Sequence, residues 1–370
     1  MNLFSIIALI LIIGLVILVH ETGHFLLAKL NGVGIIEFSV GMGPRVFTRV
    51  KNGTRYSIKA LPFGGSCRML GDSMGVVDPD AEPIADSEHS FDQKSVWARI
   101  SIVLAGPVFN FILAFVLAVI VLNFAGSDKP YITGVMEGYP AEAAGLQAGD
   151  RICSVNGNKV HIFRDLQLYV EMNPGKTLNL TYERDGQKTS AELVPLYSEE
   201  DARYYMGVYS EGRTKLTWYE CLEYSAFEVR YNIVAVVKSL GMVFTGRLPV
   251  TSFSGPVGIA TTVNDIVEDV KEESAGQPFS DLAMSMFLTL TNFTVLISAN
   301  LGVMNLLPIP ALDGGRLVFL IIEAVRRKPV PKEKEAIVQF AGVIFLLFFM
   351  IFVLFNDIRQ AFLGLALLLP

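Results

Sequence analysis

The hydrophobic residues of this chain fall into four long runs, each long enough to cross a membrane. A transmembrane helix needs about 20 mostly apolar residues. The runs lie at about residues 3–30, 97–124, 282–307 and 336–355. This pattern predicts four transmembrane helices.

A fifth apolar stretch, residues 221–244, is interrupted by charged residues. Glu228, Arg230 and Lys238 lie inside it, and charged side chains near the centre of a bilayer are costly. We interpret this stretch as an amphipathic helix that lies on the membrane surface or packs on a soluble domain. The wider segment 214–280 is then expected to hold surface helices.

Between the second and third runs the pattern changes to short strands separated by turns. Within residues 128–213, the pairs Asn156-Gly157 and Asp185-Gly186 are typical of tight turns between strands. About 85 residues are enough for one small domain with its own core. The pattern predicts an α+β domain inserted into a polytopic α-helical membrane protein.

The composition agrees with a membrane protein. Of 370 residues, 52% are hydrophobic and 18% are charged, whereas soluble proteins carry about 25% charged residues. The net charge of −6 and the absence of a basic stripe disfavour nucleic acid as a partner. Three widely spaced cysteines without a CxxC pair argue against a disulfide framework or a cysteine zinc site.

Basic residues indicate which ends of the runs face the cytoplasm. They cluster after the first run and between the third and fourth, and loops rich in lysine and arginine stay on the inner side. With four crossings, the ends of the first and third runs then reach the same membrane face, and residues 128–213 lie outside. A fifth crossing at 221–244 would separate those two ends. The basic residues are Arg45, Arg49, Lys51, Arg55, Lys59 and Arg68, then Arg316, Arg326, Arg327, Lys328, Lys332 and Lys334.

The most polar part of the first run is the sequence HETGH, residues 20–24. In H-E-x-x-H on a helix, the two histidines share one face and can bind one zinc ion, while the glutamate can activate water. Ionisable residues inside a membrane indicate a functional site, although neighbouring helices could also satisfy them. His20 and His24 are therefore candidate zinc ligands, and Glu21 is a candidate base.

A catalytic zinc needs a third protein ligand and an open position. His89 lies in an acidic loop and His161 in the soluble domain, so neither is well placed. Asp313 follows the third run at the face that four crossings require. An aspartate before Gly314 and Gly315 could equally be a turn residue.

The joint set of motifs resembles the bacterial site-2 proteases, zinc-dependent intramembrane proteases of the kind that cleave anti-sigma factors. The resemblance covers nearly the whole chain, in motif order. Its motifs are HETGH, FSVGMGP (38–44), GPVFN (106–110), SGPVGI (254–259) and NLLPIPALDGG (305–315).

This resemblance implies the roles of individual residues. His20, His24 and Asp313 would bind one Zn2+ per chain, with Glu21 as the catalytic base. Asn110 and Asn305 could contact the substrate or the developing oxyanion, or simply join helices.

The resemblance also implies two further structural parts. A membrane-reentrant β-hairpin is expected at about residues 54–70, with its tip at Gly64-Gly65, where an extended edge could pair with an unwound substrate. Residues 128–213 resemble a single PDZ domain, which either binds a peptide or carboxyl terminus or acts as a steric filter.

The expected protein is an intramembrane metalloendopeptidase of the bacterial inner membrane that cleaves single-span membrane proteins, such as anti-sigma factors or signal-peptide remnants. Two alternatives remain open. One is a membrane transporter that binds and releases zinc, which has no need of Glu21. The other is a PDZ scaffold with an inactive metal site.

Overall fold

The computed structural model describes residues 1–72, 88–199, 201, 203–249, 251 and 254–367. The helices, in chain order, are α1 (Leu3–Leu30), α2 (Val96–Ala125), α3 (Pro140–Ala143), α4 (Phe163–Met172), α5 (Trp218–Phe244), α6 (Pro256–Glu273), α7 (Phe279–Leu306), α8 (Asp313–Arg326) and α9 (Lys332–Leu367). The strands are β1 (Ile35–Lys51), β2 (Thr54–Met69), β3 (Ser127–Asp128), β4 (Ile132–Val135), β5 (Arg151–Val155), β6 (Asn158–Lys159), β7 (Leu178–Arg184), β8 (Gln187–Leu193), β9 (Leu196–Ser198), β10 (Arg203–Tyr205), β11 (Val208–Ser210) and β12 (Arg213–Thr214). The chain divides into two compact units, residues 1–114 with 236–370, and residues 115–235.

Four of the described helices, α1, α2, α7 and α9, are long and apolar enough to cross a membrane. Helix α1 has 28 residues, which at 1.5 Å per residue exceeds the roughly 30 Å of a bilayer core. The predicted four crossings are confirmed, and α5 is not among them. The protein is a polytopic helical membrane protein that carries an inserted α+β region.

Helix α8 lies beside the predicted metal motif because a shared core holds it there. Leu317 and Leu320 of α8 pack with Ala28 of α1 and with Ile102 and Val103 of α2, all buried. This core joins three helices that are far apart in sequence. It places the start of α8 near the carboxyl-terminal half of α1.

The hairpin between α1 and α2 is larger than the sequence pattern predicted. It pairs β1 with β2, so it spans residues 35–69 rather than 54–70, and its turn is Asn52-Gly53. Gly64-Gly65 is therefore not the tip but an internal part of β2. The sequence signal at Gly64-Gly65 reflects a bend inside a long strand, where Gly64 has a φ of +81° that favours glycine.

A buried carboxylate fastens the hairpin. Glu37 is 1% exposed and accepts hydrogen bonds from Ser57 Oγ at 2.6 Å and from Arg45 Nε at 2.8 Å. Lys59 and Arg68 lie 3.9 Å from the same carboxylate. Burial acts to raise the pKa of Glu37, but the bonds from Arg45 and Ser57 and the nearby Lys59 lower it to about 2.

The inserted unit has its own hydrophobic core. A four-stranded antiparallel sheet in the order β6-β5-β7-β8 packs with α4, and Ile152, Leu166, Leu178 and Leu180 are buried at its centre. The alternation along β7, in which Leu178 and Leu180 are buried, is that of a strand with one face on a core. The unit is an α+β domain, as predicted.

The charges inside α5 pair with the start of α4. Glu228 is 3% exposed and accepts a hydrogen bond from Arg164 at 3.0 Å, and Arg230 lies 3.3 Å from Asp165. Arg164 also bonds Asp128. These pairs show why α5 carries charge among apolar residues: its amino-terminal half packs on the α+β domain, one of the two arrangements that the sequence allowed.

Candidate metal centre

The HETGH segment lies in the carboxyl-terminal half of α1, where its two histidines meet. His20 and His24 are one helical turn apart and each is 8% exposed. Their rings lie edge to face, with centroids 4.8 Å apart. Their Nε2 atoms are 3.2 Å apart, so both point to one location.

Asp313 supplies a third ligand atom at the same place. Its Oδ2 is 3.1 Å from His20 Nε2 and 3.3 Å from His24 Nε2. Gly314 and Gly315 allow this approach, because a Cβ at either position would lie 2.1 Å or 2.4 Å from a backbone oxygen of residues 307–309. Asp313 is thus more than a turn residue, since its carboxylate faces both histidines.

Helix α2 holds the histidine rings from behind. Pro107 lies inside α2, where it lacks an N–H and disrupts the helix ladder. In the adjoining turn the carbonyl oxygen of Ile102 lies 2.8 Å from His24 Nδ1. Because a carbonyl can only accept, Nδ1 carries the hydrogen, and the neutral His24 ring presents a bare Nε2.

Three ligand atoms thus converge without a donor between them. Asp313 Oδ2 is buried and lacks a hydrogen-bond partner within the described residues. Tetrahedral zinc with ligands at about 2.0–2.1 Å spaces them about 3.3 Å apart, which the observed 3.1–3.3 Å matches.

The donor types agree with this spacing. Two imidazole nitrogens and one carboxylate oxygen are a common catalytic zinc set, which leaves a fourth position for water or substrate. Within the described ranges, these same three are the His, Cys, Asp or Glu side chains whose ligand atoms converge as a group of three. The residues present fit zinc.

Gly106 is a site residue that the sequence reasoning quoted only as part of a motif. A Cβ at this position would lie 2.3 Å from His24 Nε2 and 2.7 Å from His20 Cε1. The α2 backbone therefore lies directly against the ligand atoms. The signal was present in GPVFN, but a motif does not show what its glycine faces.

Glu21 lies beside the ligands on α1 and next to β2. It is half-buried, and a Cβ added to Gly65 would lie 3.0 Å from Glu21 Cγ. Gly65 thus lets β2 lie against α1 at the predicted base. Gly64 faces Met42 instead, since its added Cβ would lie 2.8 Å from Met42 Cγ.

The two predicted asparagines occupy different surroundings. Asn110 is fully buried, and its side-chain amide lies 3.1 Å from His20 Nδ1. Its substrate contact stays a prediction. Asn305 is half-buried in the last turn of α7, and its substrate role stays a prediction. His89 is exposed and bonds Gly32 O, while His161 stacks on Phe227.

Comparison with known proteins gives matches over nearly the whole chain. The model of peptidase family M50 matches residues 8–349. A Clostridium acetobutylicum protein whose name describes a zinc metalloprotease is 37% identical, covering 97% of this chain and 98% of its own length. The Bacillus subtilis regulator of sigma-W protease RasP is 32% identical, covering 97% and 99%.

Solved structures of PDZ domains match about a quarter of the chain. The PDZ domain of an SdrC-like protein from Listeria monocytogenes is 20% identical and covers 24% of this chain and 90% of its own length, with a TM-score of 0.21. The corresponding domain from Listeria innocua is 21% identical and covers 24% and 100%, with a TM-score of 0.22.

Proposed function

Because the chain belongs to peptidase family M50 and is a membrane zinc metalloprotease, we propose that it hydrolyses a peptide bond within the membrane-spanning segment of a single-span protein. The observation that carries this proposal is the convergence of His20, His24 and Asp313 beside Glu21. We further propose one Zn2+ per chain, since one such cluster is found in the described part of the chain.

The residues divide the chemistry between them. A zinc ion held by the three ligands would polarise the scissile carbonyl and make hydroxide available near neutral pH. The Glu21 carboxylate takes the proton of the attacking water and returns it to the leaving amine. The surrounding helices exclude lipid and bulk water, which strengthens each of these electrostatic interactions.

The strand β2 is suited to presenting the substrate. Its segment from Gly65 to Arg68 pairs with β1 on one side, and Gly65 lies against Glu21. Among the described residues no strand pairs along the opposite edge of this segment, and an extended substrate segment added there would bring its backbone to the base. Strand addition also satisfies the backbone groups of a helix that has been unwound inside the membrane.

The surroundings of its side-chain amide support a positioning role for Asn110. Its Oδ1 is buried without a partner, while its amide lies against His20 Nδ1. With the amide flipped, Oδ1 accepts a hydrogen bond from Nδ1–H of His20. Asn110 then fixes the His20 tautomer with a bare Nε2, the arrangement usual for a metal-binding histidine.

We propose an anti-sigma factor or a signal-peptide remnant as the substrate, since the Bacillus subtilis relative bears the name regulator of sigma-W protease. The basic residues after α1 and between the third and fourth apolar runs favour the cytoplasmic membrane, with those segments on the inner side. The inserted domain is predicted either to bind a peptide terminus or to filter substrates by size, and both alternatives stay open.

The test is cleavage of a panel of single-span proteins by the purified full chain, with and without a zinc chelator. The matched variant is Glu21→Gln, which keeps the side-chain size and removes the base. We expect zinc content equal to wild type and a rate at least about 100-fold lower. Cleavage that survives the chelator contradicts the proposal. Zinc transport by both wild type and variant, with no cleavage, favours the transporter.

A further inference from the structure

Helix α9 faces outward along most of its length but buries one amide. Its exposed residues include Ile337, Phe340 and Phe345, whereas Gln339 is 2% exposed. An amide in a membrane-spanning helix is unfavourable unless it is bonded. The hydrogen-bond partner of Gln339 should therefore indicate the role of this side chain.

Gln339 contacts the segment between α7 and α8, residues 307–312, which leads to the metal ligand Asp313. Gln339 Oε1 accepts a hydrogen bond from the backbone N–H of Ala311. Ala311 has a φ of +77°, in the left-handed region that residues other than glycine avoid. A residue other than glycine keeps such a conformation when neighbouring groups stabilise it. Here Gln339 stabilises it by accepting the hydrogen bond from the Ala311 N–H.

A second residue of α9 contacts the same segment by shape. Gly342 lies one turn after Gln339, and a Cβ there would be 2.4 Å from Pro310 Cβ and 2.5 Å from Pro310 O. The α9 backbone therefore contacts Pro310 directly. Helix α9 therefore contacts residues 310 and 311 in two ways, through one hydrogen bond and one close backbone approach.

The two contacted residues lie shortly before Asp313 in the chain. We propose that Gln339 and Gly342 are positioning residues, which hold Pro310 and Ala311 so that Asp313 reaches the two histidines. The inference rests on the proposed function, because Asp313 matters here as a zinc ligand. It makes α9 part of the catalytic assembly and not simply a fourth crossing.

The other end of α9 provides a control. Asp357 accepts hydrogen bonds from Gly255 N at 3.1 Å and Gly258 N at 2.8 Å, and thereby caps the start of α6. It lies 18 residues after Gln339, about 27 Å along a helix. Asp357→Asn disturbs a buried polar contact of the same helix, far from the metal ligands.

The experiment measures zinc affinity by chelator competition on the purified full chain. Gln339→Met keeps the side-chain length and removes the acceptor, and we expect zinc to bind at least about tenfold more weakly, as when outer partners of metal ligands are lost. Gln339→Glu keeps an acceptor oxygen and should restore affinity to within about threefold of wild type. Asp357→Asn should leave zinc affinity unchanged.

Gly342→Ala is a second route to the same result. The added methyl pushes Pro310 away, and zinc affinity should again fall about tenfold, even if Gln339→Met fails to fold. Thermal unfolding of the zinc-free proteins separates a lost fold from a displaced ligand, because a merely structural role lowers stability and leaves the affinity of the folded protein intact.

Three outcomes are decisive, and they do not all overturn the same statement. If Gln339→Met or Gly342→Ala folds and binds zinc as tightly as wild type, the positioning role is wrong while the protease proposal stands. If the wild-type chain itself binds no zinc, the proposed function fails first. Equal losses in Asp357→Asn and Gln339→Met would also contradict the inference, because the effect would then be general to α9.

Discussion

A single methyl group added at Gly106 should abolish tight zinc binding while the protein stays folded. In Gly106→Ala the new Cβ would lie 2.3 Å from His24 Nε2, 2.6 Å from His24 Cε1 and 2.7 Å from His20 Cε1. Ordinary carbon contacts begin at about 3.4–3.5 Å. Either the rings or α2 must retreat by about 1 Å to remove the overlap.

The size of the effect follows from the narrow tolerance of metal sites. Ligand distances in a zinc site hold to within about 0.2 Å, so a shift of about 1 Å displaces a ligand from bonding range. We expect zinc affinity to fall at least about 100-fold, which corresponds to about 2.8 kcal/mol. The folding free energy should change less, because alanine favours a helix by about 1 kcal/mol and overpacking costs about 1–3 kcal/mol.

The assay compares zinc affinity and thermal unfolding in Gly106→Ala and in Gly14→Ala. Gly14 is the matched control, since it also lies in a membrane-spanning helix and an added Cβ there meets no atom within 4 Å. Gly14→Ala should bind zinc as wild type does. Zinc affinity within threefold of wild type in folded Gly106→Ala would refute the reasoning, and so would equal losses in both variants.

Variants at three further residues test other contacts. Asn110→Leu should weaken zinc binding about tenfold while Asn110→Asp, which keeps an acceptor, stays near wild type; equal affinities in a chelator titration would contradict the positioning role. The Glu37 pKa is lowered to about 2 in the fold, so its contribution to stability is complete above about pH 4.5 and is lost as the pH falls through 2. The protection of the β1 amides against hydrogen exchange, relative to the intrinsic rate at each pH, should fall over that range in wild type but not in Glu37→Gln. Arg164→Met leaves Asp128 and Glu228 buried without their cation and should cost about 3 kcal/mol, seen as earlier proteolysis of the inserted unit, with Arg164→Lys losing less.

The pattern of apolar runs was sufficient to predict the four crossings. Length and hydrophobicity decide whether a segment can cross a bilayer, and both are local properties. The same reasoning excluded α5, because Glu228 and Arg230 are local evidence against a crossing. What those two charges bind was not local, and the structure shows that they pair with α4.

The sequence by itself also determined the chemistry of His20 and His24. Their spacing of one helical turn places them on one face, whatever the rest of the chain does. The role of Asp313 could not be decided from the residues alone, which fitted both a zinc ligand and a turn residue. The family resemblance selected the ligand role, and the structure brings its carboxylate to both rings.

Other features were decided by the tertiary structure alone. The hairpin tip lies at Asn52-Gly53 and not at Gly64-Gly65, because the pairing of β1 with β2 extends over residues 35–69. The roles of Gly106 and Gln339 depend on which helix each one faces. Periodicity records that a residue is apolar, small or polar along its own helix, but a contact between distant helices depends on packing, which no local pattern contains.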